Sequence, residues 1–140
     1  MKILMVEDSV NKYLAVKHAI NPDLDSLDDY GDLTSCMGAL KSKINNSPQN
    51  PYDVLICDMN FPIASGRLPH RNCGLEMLEQ LQLRGITFPT IVLYSMDPLT
   101  LTDDFKKLGV SKVVQYTNEE NLVPVIDDIR DSLDHDDLEL

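Results

Sequence analysis

The sequence predicts an open α/β sandwich, a β-strand followed by an α-helix five times over, and three observations carry that prediction. Short, continuous apolar runs at residues 3–6, 54–57 and 90–94 alternate with longer amphipathic segments. Runs this short, bounded by charged or turn residues, are what strands buried on both faces of a parallel sheet require. The polar residues Glu7, Asp58 and Ser95 follow these runs directly. Finally, 140 residues with 43% hydrophobic content is one domain with a core of its own.

The first strand is the run at 3–6. Asp8 or Ser9 can cap a helix over 10–20, with Tyr13, Val16 and Ile20 on its apolar face, Val10 and Leu14 beside them, and Asn21-Pro22 ending it. The acidic stretch 23–33 predicts only a weak edge strand at 24–30. A second helix is expected over 35–45, capped by Thr34 or Ser35, with Met37, Leu40 and Ile44 on one face. Asn and Pro residues at 45–51 mark a loop before the strand at 54–57. Residues 61–73 hold two prolines, a glycine, two arginines and a histidine, and read as a long loop. Leu75, Leu78 and Leu81 begin a third helix that closes near Gly85. After the strand at 90–94, residues 98–108 predict a short helix stopped by Gly109, and 110–116 a last strand. Leu122, Val125, Ile126, Ile129 and Leu133 form the stripe of a closing helix, with Asn121 as its cap and Pro124 in the first turn. One domain is expected over 1–133, with 134–140 an acidic tail.

Charge narrows the function. Twelve Lys and Arg against 23 Asp and Glu give a net charge of −11. Such a field repels phosphate backbones and anionic lipid, so neither nucleic acid nor membrane is an expected partner. No apolar run approaches the roughly 20 residues of a membrane span. Carboxylates interrupt the opening MKILMVEDSV too soon for a signal peptide. Three cysteines without paired spacing fit a reducing, cytoplasmic compartment.

In this fold class, ligands sit at the carboxyl ends of the strands. Glu7, Asp8 and Asp58 all fall there. Strands about 4.8 Å apart could bring these carboxylates together, where they would repel one another unless a cation lay between them. Hard oxygen ligands with room for water describe a Mg2+ site.

At these residues the chain resembles the receiver domain of two-component response regulators. The matching segments are ILMVED at 3–8, YDVLICDMNFP at 52–62, GLEML at 74–78, FPTIVLYS at 88–95 and LGV at 108–110, in order across 1–133. The resemblance implies a flavodoxin-like three-layer sandwich with a parallel sheet in the order 2-1-3-4-5. It implies that Asp58 accepts a phosphoryl group from a histidine kinase or phosphotransfer protein. Glu7, Asp8, Asp58 and the Asn60 carbonyl would hold Mg2+. Ser95 would be the hydroxyl that moves to the phosphate and passes the signal to a downstream protein. Such a module is not an enzyme in its own right, and a homodimer is left open.

Several positions depart from the pattern. Tyr116 stands where the family carries its phosphate-contacting lysine, Thr117 where a proline follows, and Val113 where an aromatic switch residue is expected. Counting from Pro89 lands on Tyr94, and Ser95 fits with a shift of one. The segment from Pro62 to Gly74 is longer than the family's loop by roughly eight residues. Phosphorylation would take the three carboxylates from −3 to about −4. With the lysine missing, Arg67 or Arg71 from the long loop is expected to fold over the phosphate. A pseudo-receiver that signals by protein contact alone is the alternative. A haloacid-dehalogenase-like phosphatase is disfavoured, because Asn60 cannot serve as its second acid. His70 and Cys73, three apart, lack the second pair of a metal site.

Overall fold

The computed structural model describes residues 1–46 and 49–139. The predicted loop residues Ser47 and Pro48, and Leu140 of the predicted tail, lie outside them. The elements run β1 (Lys2–Val6), α1 (Val10–Ala19), β2 (Ser26–Tyr30), α2 (Leu33–Asn46), β3 (Val54–Cys57), α3 (Cys73–Leu83), β4 (Thr90–Ser95), α4 (Asp103–Lys107), β5 (Lys112–Gln115) and α5 (Val123–Glu139). The sheet is parallel throughout and ordered β2-β1-β3-β4-β5. This is the predicted (βα)5 arrangement, the weak edge strand included.

Alternation along the strands divides the core into two layers. Leu4, Val6, Leu55, Cys57, Ile91 and Leu93 pack on one face against Cys36, Met37 and Leu40 of α2 and Met77, Leu78 and Leu81 of α3. Ile3, Met5, Val54, Ile56, Val92 and Tyr94 pack on the other against Ala15, Val16 and Ala19 of α1 and Ile126 and Ile129 of α5. Burial on both faces explains why β1, β3 and β4 read as unbroken apolar runs.

Local chemistry moves some expected boundaries. Ser9 caps α1 and accepts a hydrogen bond from the Lys12 amide. The expected inward face of α1 holds at Tyr13, Val16 and Ile20, which pack on the core, and is corrected at Val10 and Leu14, which are exposed, while Lys12, Ala15 and Ala19 are buried. Helix α2 starts earlier than expected because the Asp32 carboxylate accepts from the Ser35 amide at 2.8 Å, so Asp32 is the cap and not Thr34 or Ser35. Helix α4 is confined to five residues by its cap Thr102, which leaves 98–102 non-helical. The Asn121 amide donates to the Gln115 carbonyl instead of capping α5, and Pro124 does fall in the first turn. The backbone of α5 continues in helix past Leu133 to Glu139.

Residues 58–72 connect β3 to α3. Phe61 and His70 form an isolated antiparallel bridge, and the Pro62 and Ile63 carbonyls accept from the Leu33 and Thr34 amides. The loop is thereby tied to the N-terminus of α2.

Candidate functional site

Strand register assembles the acids. Val6 pairs with Cys57, so Glu7 and Asp58 leave adjacent strands at the same level. The Asp58 amide donates to the Val6 carbonyl at 3.2 Å and holds that level. One carboxylate oxygen each from Glu7, Asp8 and Asp58 lies within 4.8 Å of the others. Glu7 and Asp58 are buried and Asp8 is exposed, so the cluster is open to solvent on one side. Sequence spacing had pointed to all three.

It had not pointed to Lys12. This lysine, from the first turn of α1, is 1% exposed. Its Nζ lies 2.8 Å from Glu7 Oε2, 2.9 Å from Asp58 Oδ1 and 3.4 Å from the Tyr94 carbonyl oxygen. The three donors of the ammonium therefore have three acceptors. A cation in the first turn opposes the helix dipole, and the two carboxylates offset that cost. The signal in the sequence was a lysine heading an inward stripe with Ala15, Val16 and Ala19, at i+3, i+4 and i+7.

The carboxylates remain crowded despite Lys12. Burial first, and the Asp58 charge second, push the Glu7 carboxyl up to about 7. Burial likewise raises Asp58, against the opposing pull of Lys12 and the Met59 amide. Glu7 Oε1 accepts from the Ser9 amide at 2.7 Å. Asp58 Oδ1 accepts from the Met59 amide at 2.8 Å as well as from Lys12. Among the described residues, no donor engages Asp58 Oδ2, which makes it the oxygen able to attack an electrophile.

Around this centre, Asn60 Oδ1 accepts from the Asn72 amide at 3.0 Å and joins the end of β3 to the start of α3. Ser95 is buried, and its hydroxyl oxygen accepts from the Asp97 amide at 3.1 Å. Tyr116 meets Tyr94 edge-on, with ring centroids 6.1 Å apart. Arg67 and Arg71 are both exposed, and among the described contacts neither guanidinium reaches Glu7, Asp8 or Asp58. The cation that pairs with Asp58 among the described residues comes from α1. His70 pairs with Glu76 at 3.1 Å, while Cys73 is buried in the core.

No protein-family model matches the chain, and no curated protein matches it in sequence. Solved structures do. The chemotaxis response regulator CheY4 of Vibrio cholerae is 18% identical, with 91% of this chain and 97% of that chain covered and a TM-score of 0.65. The phosphorylated cyanobacterial phytochrome response regulator RcpA is 20% identical, with 91% and 89% covered and a TM-score of 0.61. The Mn(2+)-bound form of response regulator Rcp1 is also 20% identical, with 83% and 81% covered and a TM-score of 0.54.

The chain has the receiver fold. At the acidic end of that fold, the donor set suits a hard divalent cation. Three carboxylates converge, one of them exposed, and a single ammonium leaves them under-neutralised. Just past the end of β5, Tyr116 forms an aromatic pair with Tyr94, whose carbonyl oxygen lies 3.4 Å from Lys12 Nζ.

Proposed function

We propose that this receiver fold works as a phosphoacceptor in two-component signalling. Asp58 takes a phosphoryl group from the phosphohistidine of a histidine kinase or phosphotransfer protein. The observation that carries the reading is the state of the Asp58 carboxylate. Lys12 and the Met59 amide fix Oδ1, while Oδ2 has no protein donor among the described residues, on a carboxylate that belongs to the acidic cluster.

Oδ2 attacks phosphorus, the bond from phosphorus to the donor nitrogen breaks, and that nitrogen keeps the electron pair. The backbone hydrogen bond from Met59 holds the carboxylate on the strand axis throughout. Glu7, Asp8, Asp58 and the Asn60 carbonyl are the proposed ligands of Mg2+, which when bound would neutralise charge between donor and acceptor. Ser95 ends β4 with a hydroxyl oxygen that accepts from the Asp97 amide and an O–H that can be donated to a phosphoryl oxygen. Moving to make that bond would pull the segment between β4 and α4 and present a changed surface to a downstream protein. The module is a cytoplasmic signalling protein in this reading, with no turnover chemistry of its own.

One observation favours the pseudo-receiver instead: Lys12 already pairs with both buried carboxylates, so the cluster has an internal counter-ion. Beryllofluoride, which mimics an aspartyl phosphate, separates the two. A phosphoacceptor binds it only when Mg2+ is present, and the tyrosine fluorescence of Tyr94 and Tyr116 reports the event. No binding at any Mg2+ concentration supports the pseudo-receiver.

A further inference from the structure

We infer that Lys12 is the positioning residue of the acceptor site, an internal cation that orients Asp58 and then balances the charge of the phosphoryl group. The inference rests on the phosphoacceptor reading and adds to it a residue that neither the acidic cluster nor the position of Tyr116 assigns.

Four features place Lys12 in the site and not merely in the core. Its side chain is 2% exposed and ends between two carboxylates on adjacent strands, although lysine is among the residues least often buried. It bonds Asp58 through Oδ1 alone, which leaves the other oxygen for chemistry. It also reaches the Tyr94 carbonyl, so it spans β1, β3 and β4 at the level of the acceptor. No other cation does this: among the described ion pairs of Glu7, Asp8 and Asp58, every one is made by Lys12.

Charge gives the functional consequence. Transfer of a phosphoryl group adds about one negative charge at Asp58. A divalent cation alone would leave two negative charges on the phosphorylated cluster, and Lys12 removes one of them. The same ammonium opposes the arrival of a divalent cation at the resting cluster. Lys12 therefore has effects of opposite sign on two ligands of one site. A lysine that only supported packing would weaken both together or neither.

The test uses the full chain and two probes, Mg2+ alone by calorimetry and beryllofluoride with saturating Mg2+ by tyrosine fluorescence. Lys12→Met keeps the length and loses the charge. Its Mg2+ affinity should rise by at least about threefold, because a repelling charge has gone. Its beryllofluoride affinity should fall about ten- to a hundredfold, the loss of one charge-assisted hydrogen bond. Adding Tyr116→Lys to Lys12→Met returns a cation from the end of β5 and should restore part of that loss. Lys12→Gln gives the same two directions should the Met variant fail to fold. Parent-like beryllofluoride binding in the folded variant overturns the inference while leaving the phosphoacceptor reading intact. So does a loss of affinity for both ligands. If the parent itself takes no beryllofluoride, the phosphoacceptor reading falls and takes this inference with it.

Discussion

Gly74→Ala should destabilise the protein, although alanine is the better helix former. Gly74 is the second residue of α3, and its amide donates to the Met59 carbonyl at 3.0 Å. A Cβ built there would lie 2.1 Å from the Asp58 carbonyl oxygen and 3.1 Å from both the Asp58 carbonyl carbon and the Met59 Cα. All three neighbours are backbone, so no side chain can swing away. Restoring ordinary contact requires α3 and the end of β3 to part by at least about 1 Å. That separation costs the Gly74–Met59 hydrogen bond, roughly 1 kcal/mol, plus overpacking of roughly 1–3 kcal/mol. Helix propensity returns at most about 1 kcal/mol. Urea unfolding followed by circular dichroism should show a net loss of about 2 kcal/mol, and beryllofluoride affinity should fall because Asp58 moves. Unchanged or increased stability in Gly74→Ala would refute the close approach of α3 to the Asp58–Met59 backbone.

Asp25 accepts hydrogen bonds from Arg130, the Asn21 amide and the N-terminal ammonium; burial alone would raise its carboxyl, but these bonds together hold it below the ordinary value of 3.8. Its stabilising effect is therefore present above that value and lost as pH falls further, and Asp25→Asn should cost about 3 kcal/mol in urea at pH 7; a loss under about 0.5 kcal/mol counts against the network. Glu7 has the opposite sign: its carboxyl is raised from 4.5 to about 7, so metal-free protein should lose stability as pH rises across that interval. Glu7→Gln should flatten that slope in thermal melts, and an unaltered slope would trace it to another group. The buried Tyr94 hydroxyl has no hydrogen-bond partner among the described residues, so Tyr94→Phe should be neutral or stabilising by about 1 kcal/mol, with clear destabilisation as the contrary result. Asp8→Asn should weaken Mg2+ binding in calorimetry, and parent-like affinity would remove Asp8 from the metal site.

The sequence disclosed the parts of this molecule whose environment is uniform. Strands β1, β3 and β4 are buried on both faces through their apolar centres, and the acids that follow β1 and β3 stand out. Strand β2 is harder because SLDDY lies at the sheet edge and is only half-buried. The inward face of α1 differs from expectation only at its flank, Val10 and Leu14, for one physical reason. A pattern of apolar residues cannot register a lysine that is buried by two carboxylates from other strands. With Lys12 set aside, exposed Val10 and Leu14 looked like part of the core. The destination of the long loop depends on contacts distant in sequence, the Leu33 and Thr34 amides meeting Pro62 and Ile63. Arg67 and Arg71 were legible as cations, but where the loop carried them was not. The shift from Thr34 to Asp32 as the cap of α2 was within reach, since aspartate caps as well as serine does.

The central claim is that Asp58 accepts a phosphoryl group, and intact mass spectrometry tests it most directly. The protein is incubated with Mg2+ and a small acyl phosphate, in parallel with Asp58→Asn. The parent should gain the mass of one phosphoryl group, hydroxylamine should remove it, and Asp58→Asn should gain none. A parent that stays unmodified under conditions that modify another receiver, or an equal adduct in Asp58→Asn, would contradict the account.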